Sequence, residues 1–274
     1  MLEVLKALVL GIVQGITEWL PISSTGHLLL LDELLVLSMS TKGKQLFMVI
    51  IQLASILAVI ILYFSLLNPF SPKKDKLEKQ NTWMLWAKVL VATIPAAIAG
   101  FLLDDLMDTY LYKWPVIVAA LALYGVIYVV LEKKGRGTRE PRITSLEAIT
   151  FADAAAMGAF QMLALVPGTS RSGSTILGGI LFGISRPIAA QFSFFMAIPV
   201  MAGASLLKLL KLGIFYTSDE YLLIGVAFVA SFLVSLVCIK ALIAYVHKHD
   251  FSIFGFYRIG LAVIVTIYFL SSGR

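Results

Sequence analysis

The sequence predicts an all-α integral membrane protein with about six transmembrane helices and two re-entrant helix hairpins. The mean hydropathy of the 274 residues is +0.93, and only 14% of them are charged. A water-soluble globule of this composition would lack the polar groups to cover its surface. Six stretches are long and apolar enough to cross a bilayer, and two more are apolar at both ends but broken in the middle. Residues 1–274 are therefore predicted to form a single polytopic membrane domain.

The predicted elements follow a regular order along the chain. A broken segment over residues 1–37 comes first, and three predicted spans follow it at roughly residues 45–67, 83–104 and 115–131. A second broken segment, at about residues 148–184, precedes spans at roughly residues 187–213, 221–247 and 253–271. Each of the six spans approaches or exceeds the length of about 20 residues that a helix needs to cross the hydrocarbon core.

A proline and a run of small hydroxylated residues interrupt each broken segment. The first hairpin turn reads PISSTG, from Pro21 to Gly26, and the second reads PGTSRSG, from Pro167 to Gly173. Proline disfavours helix in the residue before it, so Leu20 and Val166 are predicted to end their helices. Serine, threonine and glycine then favour a new helix start. Each half is too short to span, which predicts two re-entrant hairpins whose turns are buried in protein or line a polar cavity.

The order of one hairpin and three spans occurs twice. Because three is odd, the second copy would enter the membrane from the opposite side, which predicts an inverted-topology repeat of about residues 1–131 and 148–274. Several residues match between the copies. A shift of 147 residues places Gly11, Gln14, Ser23 and Gly26 over Gly158, Gln161, Ser170 and Gly173.

The loops between the spans predict the orientation. Basic sequence collects on one side, at Lys73 to Lys79, Glu132 to Arg142, Arg186 and Lys248, and acidic sequence collects on the other, at Leu103 to Asp108 and Ser218 to Glu220. The basic side is expected to be cytoplasmic, which puts both termini and the mouth of the first hairpin outside. The net charge of +6 comes from these short loops, so nucleic acid is not expected as a partner. Trp19, Trp83, Trp86 and Trp114 lie near predicted segment ends, as interfacial anchors do.

The two hairpin turns are predicted to form an anion site where they meet. Each turn leads into a helix N-terminus, whose unpaired N–H groups and positive dipole end attract an anion. Arg171 adds a permanent charge, and its burial in a span would cost roughly 2.5 to 3.5 kcal/mol, so a negative partner is expected. That partner is either a bound anion or Glu18; in the second case the two residues simply neutralise each other. The hydroxyl groups expected around a phosphate belong to Ser23, Ser24, Thr25, Ser170, Ser172 and Thr175.

Three further polar residues stand in the first hairpin. Gln14 and Glu18 are spaced i and i+4 and share a helix face, where their oxygens suit a hard divalent cation completed by water and phosphate. Alternatively, Gln14 only forms a hydrogen bond across the hairpin. His27 is a candidate proton acceptor, acid or nucleophile, although a lone histidine is more often a structural hydrogen-bonding residue.

The motifs QGITE, PISSTGH and PGTSRSGST resemble the signatures of the bacitracin-resistance family, the undecaprenyl-pyrophosphate phosphatases, and the resemblance extends over the whole chain. It implies hydrolysis of undecaprenyl diphosphate to the monophosphate in the bacterial inner membrane, which recycles the lipid carrier of cell-wall synthesis and confers bacitracin resistance. It also implies Mg²⁺ or Ca²⁺ as cofactor. The family's functional positions fall on Gln14, Glu18, Ser24, His27, Ser170, Arg171, Ser172 and Thr175. Some members carry glutamate where this chain has Gln14, so a metal site with two carboxylates is not available here.

The working hypothesis is that Ser24 attacks the terminal phosphorus. His27 or Glu18 would accept its proton, and Arg171 would stabilise the transferring phosphoryl group. Attack by water, or by His27 itself, fits the sequence nearly as well. Gln161, the counterpart of Gln14, joins the predicted substrate-binding residues.

A secondary transporter or flippase for a polyprenyl phosphate or other anion is the rival hypothesis, because such proteins also aim broken helices at an anion. The density of chemical groups at the turns favours the enzyme. The predicted partners are undecaprenyl diphosphate and membrane lipids, and the site is expected to open to the outer face. A homodimer is left open by the sequence.

Overall fold

The computed structural model describes residues 1–133, 140–213 and 216–272, without the side chains of residues 104, 105 and 108. The acidic side chains of LDDLMD and most of the predicted basic loop after Lys133 therefore lie outside the described residues. Apart from one isolated bridge between Ile143 and Ile184, the regular structure in these ranges is helical. The helices are α1 (Leu2–Thr17), α2 (Ser24–Leu34), α3 (Thr41–Leu62), α4 (Phe64–Leu67), α5 (Lys76–Tyr110), α6 (Trp114–Lys133), α7 (Phe151–Leu163), α8 (Arg171–Leu181), α9 (Arg186–Leu212), α10 (Ser218–Val246) and α11 (Ser252–Ser271).

Six of the described helices are long and apolar enough to cross a membrane, which confirms the predicted number of spans. They are α3, α5, α6, α9, α10 and α11. The first span differs from the prediction because α3 ends at Leu62, and Tyr63 separates it from the four-residue α4. The second is longer than predicted because Asp75 and Glu78 form a capping box that starts α5 well before its apolar part.

Each broken segment consists of two short helices that pack against each other, α1 with α2 and α7 with α8. Their lengths of 16, 11, 13 and 11 residues are below the length of a span. The predicted helix ends at Leu20 and Val166 are wrong, because α1 ends at Thr17 and α7 at Leu163. After α7, the N–H groups of residues 164–166 donate to carbonyls three residues back. This tighter 3₁₀ geometry ends the helix before the proline is reached. The depth of both hairpins in the membrane stays a prediction.

The two hairpin turns share an unusual backbone. Ser23 and Ser170 have φ angles of 71° and 73°, the only positive values of non-glycine residues in the described ranges. Each serine then caps the helix that follows, because its Oγ accepts a hydrogen bond from the N–H three residues later. The donors are Gly26, at 3.3 Å, and Gly173, at 3.1 Å. The match agrees with the 147-residue shift, and the inverted topology stays a prediction.

Each hairpin lies against a long helix of the other half of the chain. A Cβ added at Gly11 would lie 2.4 Å from the carbonyl oxygen of Ala227, and one added at Gly158 would lie 2.4 Å from that of Ala92. Only glycine permits this backbone approach. As a result α1 packs on α10, α7 packs on α5, and the two halves interlock.

Polar side chains join the loops at two ends of the molecule. At one end, the backbone N–H and the hydroxyl of Ser40 donate to Glu220 Oε1 at 2.8 and 2.7 Å. At the other end, Glu132 accepts hydrogen bonds from Arg186 Nη2 at 2.5 Å and from the N–H of Phe251 at 3.2 Å. The loops around residues 132, 186 and 248 therefore lie together, as the charge pattern predicts.

Candidate active site

Hydrogen bonds join the two hairpin turns directly. The Ser172 hydroxyl lies 3.2 Å from the carbonyl oxygen of Glu18 and 3.3 Å from that of Leu20. Arg171 Nη2 donates to Glu18 Oε1 at 2.8 Å. Because these partners are more than 150 residues apart in the sequence, the fold alone brings them together. The predicted meeting of the two turns is what the structure shows.

The Glu18 carboxylate is the centre of this cluster. Its Oε1 atom accepts from Arg171, and its Oε2 atom accepts from Gln14 Nε2 at 3.1 Å and from the Ser24 hydroxyl at 3.3 Å. Glu18 caps the C-terminus of α1, whereas Ser24 and Arg171 are the first residues of α2 and α8. Ser24 and Arg171 thus occupy equivalent positions in the two hairpins, and both N-termini face one carboxylate.

The Arg171 guanidinium is held by contacts from several elements. Nη1 donates to the carbonyl oxygen of Ser193 at 3.1 Å, and the guanidinium carbon lies 5.3 Å from the centre of the Trp19 ring. Trp19 is fully buried, with the edge of the Phe194 ring packed against it. The prediction that Trp19 is an interfacial anchor is therefore wrong, since its ring supports the arginine. The buried Nε atom of Arg171 has no hydrogen-bond partner among the described residues.

Both ring nitrogens of His27 are engaged. Nδ1 lies 2.7 Å from the carbonyl oxygen of Ser23, which can only accept, so this nitrogen carries the proton. In the neutral ring Nε2 is then an acceptor, and the Tyr257 hydroxyl lies 2.7 Å from it. The Ser24 hydroxyl, in turn, donates its hydrogen bond to the Glu18 carboxylate. Tyr257 is missing from the sequence prediction because a lone tyrosine in the last span carries no local signal.

The other predicted substrate-binding residues differ in their hydrogen bonds and in their burial. The Ser23 and Ser170 hydroxyls cap helices, as described above, and Thr25 is half-buried in the first turn of α2. The Thr175 hydroxyl is fully buried and bonded to the carbonyl oxygen of Arg171 at 2.9 Å and to Ser193 Oγ at 2.6 Å. Gln161 is buried on α7, and neither atom of its amide has a partner within the described part of the chain.

Sequence comparisons identify the family. The family described as bacitracin resistance protein BacA matches residues 7–264, which include every residue of the cluster. The chain belongs to the bacitracin resistance protein BacA family. It is 49% identical to the undecaprenyl-diphosphatase of Enterococcus faecalis over 97% of this chain and 98% of that protein. It is also 50% identical to the undecaprenyl-diphosphatase of Lactiplantibacillus plantarum and 52% identical to that of Limosilactobacillus fermentum, each over 98% of both chains.

In this BacA-family chain, the side-chain oxygen atoms of Gln14 and Glu18 suit a divalent cation that takes most of its ligands from water and substrate phosphates. Gln14 Oε1 is buried and has no hydrogen-bond partner in the described ranges, and Nε2 of the same amide donates to the Glu18 carboxylate. No group of three or more His, Cys, Asp and Glu side chains that could hold a metal occurs among the described residues. Mg²⁺ is commonly bound by one or two carboxylates together with substrate phosphates and water. Gln14 and Glu18 fit that mode.

Proposed function

We propose that the chain hydrolyses undecaprenyl diphosphate to undecaprenyl phosphate and inorganic phosphate. The observation that carries this proposal is the contact of Ser24 and Arg171 with a single buried carboxylate, Glu18. The names of relatives that match nearly the whole chain support it and favour hydrolysis over transport. The reaction recycles the lipid carrier of cell-wall synthesis and confers bacitracin resistance.

Ser24 is the proposed nucleophile and Glu18 its proton acceptor, because the Ser24 hydroxyl lies 3.3 Å from Glu18 Oε2. As the Ser24 oxygen bonds to the terminal phosphorus, the bond from phosphorus to the bridging oxygen breaks. Undecaprenyl phosphate leaves and takes the proton from Glu18. Water then attacks the phosphorus of the phosphoserine and gives a proton to Glu18, and the bond between phosphorus and the Ser24 oxygen breaks to release phosphate. The last proton returns to the Ser24 oxygen.

Arg171 and the two helix N-termini stabilise the charge of the transferring phosphoryl group. Their donors are fixed before the substrate arrives, so little reorganisation is needed. Without substrate, Glu18 neutralises Arg171 and prevents the burial of a bare cation. The diphosphate takes over this role and frees Glu18 for Ser24. The ion pair between Glu18 and Arg171, which the sequence offers as an alternative to anion binding, is thus the resting state of the enzyme in this proposal.

His27 acts as a positioning residue in this proposal. Its Nδ1–H donates to the carbonyl oxygen of Ser23, the residue directly before the nucleophile. The Tyr257 hydroxyl bonds to Nε2 and fixes the orientation of the ring. To act as nucleophile or base, His27 would have to give up one of these two short hydrogen bonds.

A divalent cation, Mg²⁺ or Ca²⁺, completes the site in this proposal. Gln14 Oε1 and the Glu18 carboxylate would hold it. When bound, such a cation neutralises negative charge on the diphosphate oxygens.

We further propose that the protein lies in the bacterial inner membrane with both termini outside and its site open to the outer face. The basic loops at the Glu132 and Arg186 end support this orientation. Single cysteines at Lys42 and Lys248, which are exposed at opposite ends, test it in a Cys238→Ala background. A membrane-impermeant maleimide should label Lys42→Cys and not Lys248→Cys in intact cells. The reverse pattern overturns the orientation.

Hydrolysis and transport are separated by one experiment. Purified protein is supplied with undecaprenyl diphosphate and Mg²⁺, and phosphate release is measured in detergent and in proteoliposomes. The proposal predicts catalytic release in both. Movement of intact diphosphate across the vesicle bilayer without phosphate release would instead establish a transporter.

A further inference from the structure

Arg258, on α11, is a fully buried cation that the proposed chemistry does not use. Its guanidinium donates to four backbone carbonyls. Nη2 donates to Gly168 at 2.9 Å and to Ala120 at 3.4 Å, and Nη1 donates to Pro21 at 3.3 Å. Nε donates to Leu121 at 3.5 Å. Pro21 begins the first hairpin turn and Gly168 lies in the second, so a single side chain holds both turns.

The cost of this burial argues for a specific role. No carboxylate is among the hydrogen-bond partners of Arg258 within the described ranges, and a charge buried at membrane depth is expensive. The Tyr124 ring, 5.5 Å from the guanidinium carbon, offsets part of that cost. An apolar residue would fill the same space without burying a charge. What only arginine offers is a planar fork of donors that reaches several carbonyls at once.

The two turns need such a support because their backbone is strained. Ser23 and Ser170 hold positive φ angles, a conformation that persists only where the surroundings over-determine it. The carbonyls held by Arg258 belong to Pro21 and Gly168, each two residues before its strained serine. The guanidinium therefore forms hydrogen bonds with the equivalent carbonyl in both turns.

We propose that Arg258 is a positioning residue that fixes the two turns at the separation at which Ser24, Glu18 and Arg171 meet. The inference rests on the proposed hydrolase function. Because Arg258 bonds backbone carbonyls, it acts through the turns and does not bind the reacting phosphate. Its loss should lower the turnover number and leave substrate affinity almost unchanged.

The competing explanation is that Arg258 only fastens α11 to α6, through the carbonyls of Ala120 and Leu121. That role predicts lower thermal stability with a normal turnover number in the folded protein. Arg258→Lys and Arg258→Met separate the two explanations, since lysine keeps the charge and loses the fork. Arg186→Lys is the matched control, because Arg186 forms an ion pair with the buried Glu132 at the basic end and contacts neither turn.

The measurements are kcat and KM for undecaprenyl diphosphate, and the melting temperature of each purified protein. We expect kcat to fall by about 100-fold in both Arg258 variants, with KM within about threefold of the parent, since small misplacements of reacting groups have effects of this size. Arg186→Lys should melt earlier and keep its kcat. A kcat for Arg258→Lys within about threefold of the parent overturns the proposal.

A milder variant covers the case in which neither Arg258 variant folds. Tyr124→Leu removes the ring that braces the guanidinium and keeps Arg258 in place. It should lower kcat by about fivefold at unchanged KM, and an unchanged kcat overturns the proposal. A folded parent without any turnover would refute the proposed function instead.

Discussion

Glu18 Oε1 accepts a hydrogen bond from Arg171 Nη2 at 2.8 Å, and the two side chains are only 7% and 12% exposed. The carboxylate comes from the first half of the chain and the guanidinium from the second, so neither half holds a complete site. Removing one partner of a buried ion pair typically costs about 3 to 5 kcal/mol. Variants at these positions must therefore be judged on folded protein, and conservative changes are the most informative.

Arg171→Lys should lower kcat/KM by about 100-fold to 1,000-fold, the usual effect of losing a donor that stabilises the transition state. Lysine can still neutralise Glu18, so the protein should fold. Its single ammonium cannot replace a guanidinium that contacts Glu18 and the Ser193 carbonyl while facing the substrate. Phosphate release measures the effect, with Arg142→Lys at the basic end as control. Activity within about tenfold of the parent would exclude the assigned role.

Tyr257→Phe should lower kcat by about 2-fold to 10-fold, which corresponds to one hydrogen bond. The change removes the donor to His27 Nε2 and leaves the Nδ1 contact with Ser23 in place. Tyr268→Phe, also on α11, is the control and should retain parental activity. Equal activity of both variants would show that Tyr257 has no part in holding the histidine.

Gly11→Ala and Gly158→Ala should each destabilise the protein by about 1 to 3 kcal/mol, the usual cost of overpacking. Their new methyl groups would collide with the Ala227 and Ala92 backbones. Gly225→Ala and Gly260→Ala are matched controls, since no atom of the described part of the chain lies within 4 Å of a Cβ at either position. Thermal melting in detergent measures the difference. Similar melting temperatures for both pairs would contradict the close packing of the hairpins.

Gln14→Glu should lower the Mg²⁺ or Ca²⁺ concentration that gives half-maximal activity, and Gln14→Leu should raise it. The first change adds a carboxylate beside Glu18, whereas the second removes the unpartnered amide oxygen. Carboxylate ligands strengthen the binding of hard cations. Titration of chelator-treated protein with each metal tests this. Identical half-activating concentrations in parent and both variants would remove Gln14 from the cation site.

The sequence predicts the features that depend on local chemistry. Apolar length identifies the six spans, and the proline followed by serines and glycine locates both breaks. A buried arginine requires a negative partner, and the sequence offers Glu18 as one of two partners for Arg171, the other being a bound anion. The helix end at Leu163 escapes prediction because 3₁₀ tightening is set by hydrogen bonds within the turn, not by the proline alone. The end of α1 at Thr17 has a different cause, since Glu18 and Leu20 still donate to carbonyls four residues back.

Other parts of the site depend on contacts that no sequence pattern encodes. Arg258 bonds backbone carbonyls, which every residue type possesses, so its partners leave no trace in the sequence. Tyr257 reaches His27 across 230 residues. Trp19 resembles an interfacial anchor by position, and only the packing of the second hairpin against the first shows it to be buried beneath Arg171.

The most direct test of the proposed site is phosphate release from undecaprenyl diphosphate by Glu18→Gln. Glutamine keeps the size of the side chain and cannot accept the Ser24 proton. We predict a loss of at least about 100-fold in kcat, as expected for a proton acceptor, in a protein that still elutes as a folded species. Glu3→Gln, at the exposed end of α1, should turn over normally. Parental turnover by folded Glu18→Gln would contradict the account.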